Sequence, residues 1–423
     1  MNALQGRVGR LRRRVQAQLR QALRGMSGGS ARRDDALVVM SAAAGSLGDQ
    51  AMLQSVADNL QLMELRYVRQ VLMPNWGEFA VNGPMLPSLR FSVEEVEAKS
   101  ARVVTAVRDA GAVLAVGADI IDGYYGLHPV RYQIGMLRIA AEQGRPAILL
   151  GHSISEQPHP EAVQMIASLP PSVAVYVRDP ISHARFERFM GRTATLVADV
   201  AFLVQPDRTS GDSRQAAQWI AARRAAGDLV LCLNVSGLNA EKQSAGLGVQ
   251  EYWSAFVKGF LSLHPHTSFL FLSHDNRSNS SDALMQREVI ASLPAAVRQR
   301  VYAVDTPETA AIAKSISGMT DMVFAGRMHL AIGALSQAVP TFCIAYVGKY
   351  EGLAEHLRIP DFIPEAHVLE QPDTLAAWLA AKVPDLQQRR KALQDRLPAV
   401  KAMSKMNYAS VSQRSGAASG AAG

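Results

Sequence analysis

Two cysteines in 423 residues are too few for a disulfide framework. Each of them, Cys232 and Cys343, stands inside an apolar strand-like run, which reads as a buried free thiol in a reducing compartment. No stretch of about 18 consecutive apolar residues occurs, so no segment can cross a bilayer as a helix. No Cys/His cluster has metal-ligand spacing, and no metal is expected. Acidic residues are missing from positions 1–33, which hold nine arginines; of the formal net charge of +7, the rest of the chain therefore carries −2. A body of that charge offers no basic surface to nucleic acid.

What the chain does have is the composition of a folded protein, 48% hydrophobic and 19% charged, at a length that suggests two domains. In residues 1–33, Leu4, Val8, Leu11, Val15, Leu19 and Leu23 recur every three or four positions and line one helix face. Arginines cover the remainder. Such a basic amphipathic extension lacks the continuous apolar core of a signal peptide and suits an anionic membrane surface; a solvated basic tail is the alternative. Residues 27–30 (SGGS) read as a linker, and the Ser/Ala/Gly-rich residues 410–423 as a disordered tail.

From residue 36 onward, short apolar strands alternate with helical patterns. Strands are expected at 36–40, 65–71, 113–116, 147–150, 173–177 and 195–198, and again at 229–234, 268–272, 301–304, 322–325 and 341–345, with helices between them. Strand–helix alternation of this kind builds parallel sheets covered on both faces. The alternation pauses near residues 204–212, which predicts an α/β chain of two Rossmann-like domains, 34–205 and 206–409, with helices closing the second. Their strand ends face an interdomain cleft.

The stretch from Thr320 to Tyr350 organises this reading. A strand ends at Ala325, Gly326-Arg327-Met328-His329 turns the corner into a helix, and Lys349 follows the next strand. Ligands of open parallel sheets collect at such carboxyl ends, where helix N-termini favour anions. Arg327, His329 and Lys349 there point to an anionic ligand and a proton donor. In the first half, Gly45 and Gly48 give a tight turn before a helix, with Asp49 either ligand-facing or a helix cap. The loop Val116–Gly126 carries Asp119 and Asp122 among tyrosines, which suits a sugar, or else the aspartates cap turns. Arg178 leaves its strand where a helix begins, either as an anion-binding fork or as a capping pair with Asp179. Asp199 ends a further strand as an acceptor-orienting base or a turn residue. His152 and Ser273-His274-Asp275 also sit just past strands.

Taken together and in order, GSLGDQAML (45–53), GADIIDGYYG (117–126), VYVRDPISHARF (175–186), LVADVAFL (196–203), FAGRMHLAIGALSQAVP (324–340) and IAYVGKYEGLAEHL (344–357) resemble the polysaccharide pyruvyl transferase family over roughly residues 36–365. The resemblance implies a GT-B-like pair of Rossmann-like domains, with the acceptor on the first and the donor on the second. It implies transfer of pyruvate as a ketal from phosphoenolpyruvate, a co-substrate with no further cofactor, to a sugar of a polysaccharide or lipid-linked glycan. Arg178 matches the family's Arg-Asp/Glu segment, and Arg327 and His329 its Arg-x-His motif, the groups taken to hold and protonate phosphoenolpyruvate. Gly45, Gly48, Asp49, Asp119, Asp122, Asp199 and Lys349 are the expected substrate-binding set. Where relatives carry Gly-Asp-Glu this chain has Gly48-Asp49-Gln50, so a carboxylate is expected to be missing beside the acceptor. Such an enzyme is expected in the cytoplasm, with residues 1–33 as the segment that would hold it peripherally on the cytoplasmic face of the membrane. A sugar-nucleotide glycosyltransferase of the same layout and a non-catalytic glycan-binding protein are the alternatives.

Overall fold

The computed structural model of the chain describes residues 34–236, 247–277, 281–345 and 349–411. The basic segment 1–33 and most of the expected tail lie outside the described residues. Among the described residues, no helix is long and apolar enough to cross a membrane.

Two parallel sheets carry the fold. The first is built from β1 (Asp35–Val39), β2 (Tyr67–Leu72), β3 (Leu89–Arg90), β4 (Ala112–Ala115), β5 (Ala147–His152), β6 (Val173–Val177) and β7 (Thr195–Leu196), in the order β3-β2-β1-β4-β5-β6-β7. The second holds β8 (Leu229–Asn234), β9 (Thr267–Leu272), β10 (Val301–Val304), β11 (Met322–Ala325) and β12 (Thr341–Cys343), ordered β10-β9-β8-β11-β12. The central strands are apolar runs buried from end to end, because helices cover both faces. Strand order reverses between β1 and β4 in one sheet and between β8 and β11 in the other. Crevices at such reversals are where doubly wound sheets bind ligands. The loops after β1 and β4 therefore face those after β8, β9 and β11.

The seam between the sheets is closed. Helix Leu47–Asp58 is buried from Leu47 to Ala57. Met52, Leu53 and Val56 pack on the first sheet, whereas Leu47 and Ala51 join the core of the second with Ala311, Ile312 and Leu330. Gln50 lies in this seam: its Nε2 donates to Ala80 O (2.8 Å) and Glu308 O (3.1 Å), and its Oε1 accepts from Ala310 N. This corrects the expectation of a missing carboxylate beside the acceptor. Position 50 is 3% exposed and stitches the domains, and a glutamate there could not donate to two carbonyls. Lys314 adds a second stitch, its Nζ donating to Ala201 O and Phe202 O.

Helix Leu386–Lys405 packs Leu393, Leu397 and Val400 into the core of the second sheet, but residues 206–409 do not belong to that domain whole. Its end carries the chain back to the first: Asn407 Oδ1 accepts from Gly151 N (2.7 Å), Ser404 Oγ donates to Asp199 O (2.8 Å), and Tyr408 is buried in one cluster with Val38 and Val197.

Candidate active site

The loops at the two reversal points enclose a cleft of about 380 Å³. Ser41, Gly48 and Asp49 enter it from the β1 loop, Asp119 from the β4 loop, and Tyr125 beyond that. From the second sheet come His274, Asp275 and Arg277 after β9, Arg327 and His329 after β11, and Lys349 after β12. The loop after β1 is pinned to the loop after β9: Leu47 N donates to His274 O (3.2 Å) and Asn276 N to Gly45 O (2.9 Å). Gly45 holds a φ of +111°, a conformation that glycine adopts at little cost. Its part is thus in the docking of the loop.

Arg327 precedes helix Met328–Leu335 with extended dihedrals (φ −121°, ψ 124°) and makes no side-chain cap. Its guanidinium instead runs to Asp282 Oδ1, 3.1 Å from Nε and 2.8 Å from Nη2, and Nη1 stands 3.2 Å from Asp275 Oδ2. Asp282 is fully buried and accepts from His274 N, Asp275 N and Asn234 Nδ2 through its other oxygen. Asp275 also receives Arg277, 2.5 Å from Nη2 to Oδ2. Two arginines thus share one carboxylate at the wall of the cleft. Burial, with His329 and Arg327 nearby, pushes the His274 imidazole well below its ordinary range, so it stands neutral among these cations.

His329 lines the same cleft from the first turn of helix Met328–Leu335. Its Nε2 lies 3.5 Å from Asp199 Oδ2, within ion-pair reach but long for a hydrogen bond. Asp199 in turn accepts from Arg178 Nη1 (2.8 Å) and Ala201 N (2.9 Å), and Arg178 Nε donates to Ser153 Oγ (2.8 Å). Burial alone would raise the Asp199 carboxyl; Arg178 and His329 hold it well below the usual carboxylate range. A carboxylate beside one ring nitrogen fixes the imidazole's orientation. The other nitrogen, Nδ1, is on the Gly48 side, where a Cβ on Gly48 would come within 2.5 Å of it. Glycine is required here by close approach. Gly48→Ala is expected to tilt the ring and lower turnover by about 10²-fold, with substrate affinity little changed, since a misplacement of about 1 Å has that effect. Steady-state kinetics check it.

The structure brings Gly48, Asp49, Asp119, Arg327, His329 and Lys349 to one cleft. Arg178 and Asp199 do not line it: they are 3% and 2% exposed and stand behind His329. The capping of helix Pro180–Met190 falls to Asp179, whose carboxylate accepts from Ser182 N. Asp122 is pinned by Tyr124 N (3.1 Å) and Ser155 N (2.8 Å) and so shapes its loop. Asp49 accepts from Ser41 Oγ, while Ser46 is the true helix cap. His152 is buried, with its imidazole pushed down to about 4 by that burial, and does not reach the cleft. Arg277 was not foreseen; a single arginine in a loop carries no sequence signal.

Beside the cleft lies a second chamber of about 240 Å³, lined by Tyr124, Tyr125, Glu156, Gln157 and Arg185. Tyr124 and Tyr125 are about half exposed and meet edge to face at 4.9 Å. Such aromatic faces suit a sugar ring.

A sequence model of the family described as polysaccharide pyruvyl transferase matches residues 64–347. Among solved structures, the chain is similar to UDP-GlcNAc 2-epimerase from Neisseria meningitidis bound to UDP-GlcNAc, at 11% identity and a TM-score of 0.54, covering 89% of this chain and 99% of that one. It is also similar to an Anabaena protein in complex with UDP and glucose (11%, 0.53, 92% and 99%) and to a UDP-glucose:anthocyanidin 3-O-glucosyltransferase in complex with UDP (9%, 0.55, 90% and 99%). At these identities the likeness is one of fold, the GT-B arrangement of two facing Rossmann-like domains. A comparison with curated proteins finds no significant match.

Proposed function

The chain belongs to the polysaccharide pyruvyl transferase family, and on that premise we propose that it transfers pyruvate, as a ketal, from phosphoenolpyruvate to a sugar of a polysaccharide or lipid-linked glycan precursor. The observation that carries this reading is the placement of His329, backed by Asp199, in one cleft with Arg277, Arg327 and Lys349. Phosphoenolpyruvate presents a carboxylate and a phosphate, and arginine forks match both. His329, as the imidazolium, gives its proton to the methylene carbon C3, which becomes a methyl group. A sugar hydroxyl oxygen then bonds to C2, and its proton leaves in the end on the departing phosphate. A second hydroxyl of the same sugar bonds to C2 as the C2–O bond to phosphate breaks, and its proton restores the imidazolium. Arg327, held flat by Asp282, and Arg277 stabilise the charge on the leaving phosphate. Arg178 acts through Asp199 rather than on the donor.

The tyrosine-lined chamber next to the cleft is the acceptor's place in this reading, and no metal is needed. Thermal unfolding checks the donor. Phosphoenolpyruvate at about 100 times its Kd is expected to stabilise the fold by about 2.7 kcal/mol, because only a ligand that binds the folded state does so. Stabilisation by UDP-sugars and none by phosphoenolpyruvate would assign the cleft to a sugar-nucleotide glycosyltransferase instead.

A further inference from the structure

Lys349 opens helix Lys349–Leu357 in the second domain and Asp119 sits in the β4 loop of the first, yet their side chains meet at 2.5 Å from Nζ to Oδ2. Both line the cation-walled cleft and both line the tyrosine chamber beside it. The ion pair is therefore the partition between the two spaces, at the point where a donor in one and an acceptor in the other would touch. We propose that Asp119 is the general base that takes the proton of the attacking sugar hydroxyl, and that Lys349 holds it idle until the anionic donor draws the lysine away.

Elimination among the carboxylates supports the choice. Asp199 is buried on Arg178, Asp122 is tied to two backbone N–H groups, and Glu156 is a solvent-exposed carboxylate paired with Arg185 at 2.9 Å. Asp275 is shared by two arginines, Asp282 is fully buried under Arg327, and Asp49 is 8% exposed and accepts from Ser41. Asp119 is about a quarter exposed, and among the described residues its ion-pair partner is Lys349. Burial would raise its carboxyl, but Lys349, and Arg178 further off, bring it down to about 2. A carboxylate that acidic is a poor base. When Lys349 turns to the donor's carboxylate or phosphate, the first of the lowering influences goes and burial is left to raise the proton affinity. Base activation is thereby coupled to donor binding, which prevents an acceptor from being deprotonated in a site with nothing to attack.

The proton inventory closes on this assignment, which rests on the phosphoenolpyruvate reading above. Asp119 receives the first hydroxyl's proton as the C2–O bond forms, and later releases it to the departing phosphate. His329 gives its proton to C3 and regains one from the second hydroxyl. Both groups end a turnover as they began it.

Asp119→Asn tests the proposal, with phosphoenolpyruvate affinity read by calorimetry and ketal formation by mass spectrometry. Without the competing carboxylate, Lys349 gives up less to reach the donor, so phosphoenolpyruvate should bind roughly fivefold tighter or more. In the same variant kcat should fall by about 10²–10⁴-fold, and Asp119→Glu should recover part of it. Turnover by Asp119→Asn within about threefold of wild type would overturn the base assignment. So would weaker phosphoenolpyruvate binding, which is what a purely structural interdomain pair gives. A wild-type protein that binds no phosphoenolpyruvate overturns the assignment together with the reading beneath it.

Discussion

Replacing His329 by alanine is expected to leave a folded protein whose turnover has dropped by about 10²–10⁴-fold, the range attached to a positioned proton donor. The imidazole is 15% exposed, and its loss removes one of three partners from Asp199, which keeps Arg178 and Ala201 N. The stability cost should therefore be small. Phosphoenolpyruvate should still bind, because Arg277, Arg327 and Lys349 are untouched. Kinetics alongside a thermal melt separate the two effects. Near-normal turnover in this variant would remove His329 from the chemistry, and a collapsed melt would make it structural.

The largest effect on stability is expected from Asp199→Ala. Arg178 and Asp199 are 1% and 2% exposed in their side chains, and deletion of the carboxylate strands a buried guanidinium whose remaining bond is to Ser153. Breaking a buried pair in this way costs about 3–5 kcal/mol. Turnover should fall too, since His329 loses the group that orients its ring. A chemical denaturation curve gives the first result and a pH–rate profile the second. The pair's own pH dependence has a definite sign. Burial opposes ionisation of Asp199, but Arg178 and His329 outweigh it and depress the carboxyl. Its stabilisation is then fully present above about pH 4 and is lost only as the pH falls through the depressed value. Stability attributable to this pair should not change between about pH 5 and 8.

Much of the fold was legible because buried parallel strands are short apolar runs. The strand Val173–Val177 and the strands Leu229–Asn234, Val301–Val304 and Met322–Ala325 lie where the pattern places them. β3, two residues in a proline-bearing stretch, has no period to detect. In the site, Arg327, His329 and Lys349 were visible because each stands at a strand end next to a helix start. The role of Arg178 was not. Its residue type suits an anion, and only the fold shows that Asp199, 21 positions on, claims its guanidinium. Gln50 was misplaced for a similar reason: its partners are Ala80, Glu308 and Ala310, and no local pattern announces pairings across 258 or 260 positions. The return of residues 404–411 to the first sheet rests on three polar side chains, Ser404, Asn407 and Tyr408, whose partners are equally distant.

In the proposed reaction the cleft moves pyruvate from phosphoenolpyruvate onto a sugar. Incubating the full chain with phosphoenolpyruvate and extracted lipid-linked glycans, followed by mass spectrometry of the glycans and assay of free phosphate, tests it most directly. A gain of one pyruvyl ketal per modified sugar is expected, matched by one phosphate released, and neither in His329→Ala. Glycans that gain a hexose from a UDP-sugar while phosphoenolpyruvate is left unconsumed would contradict it.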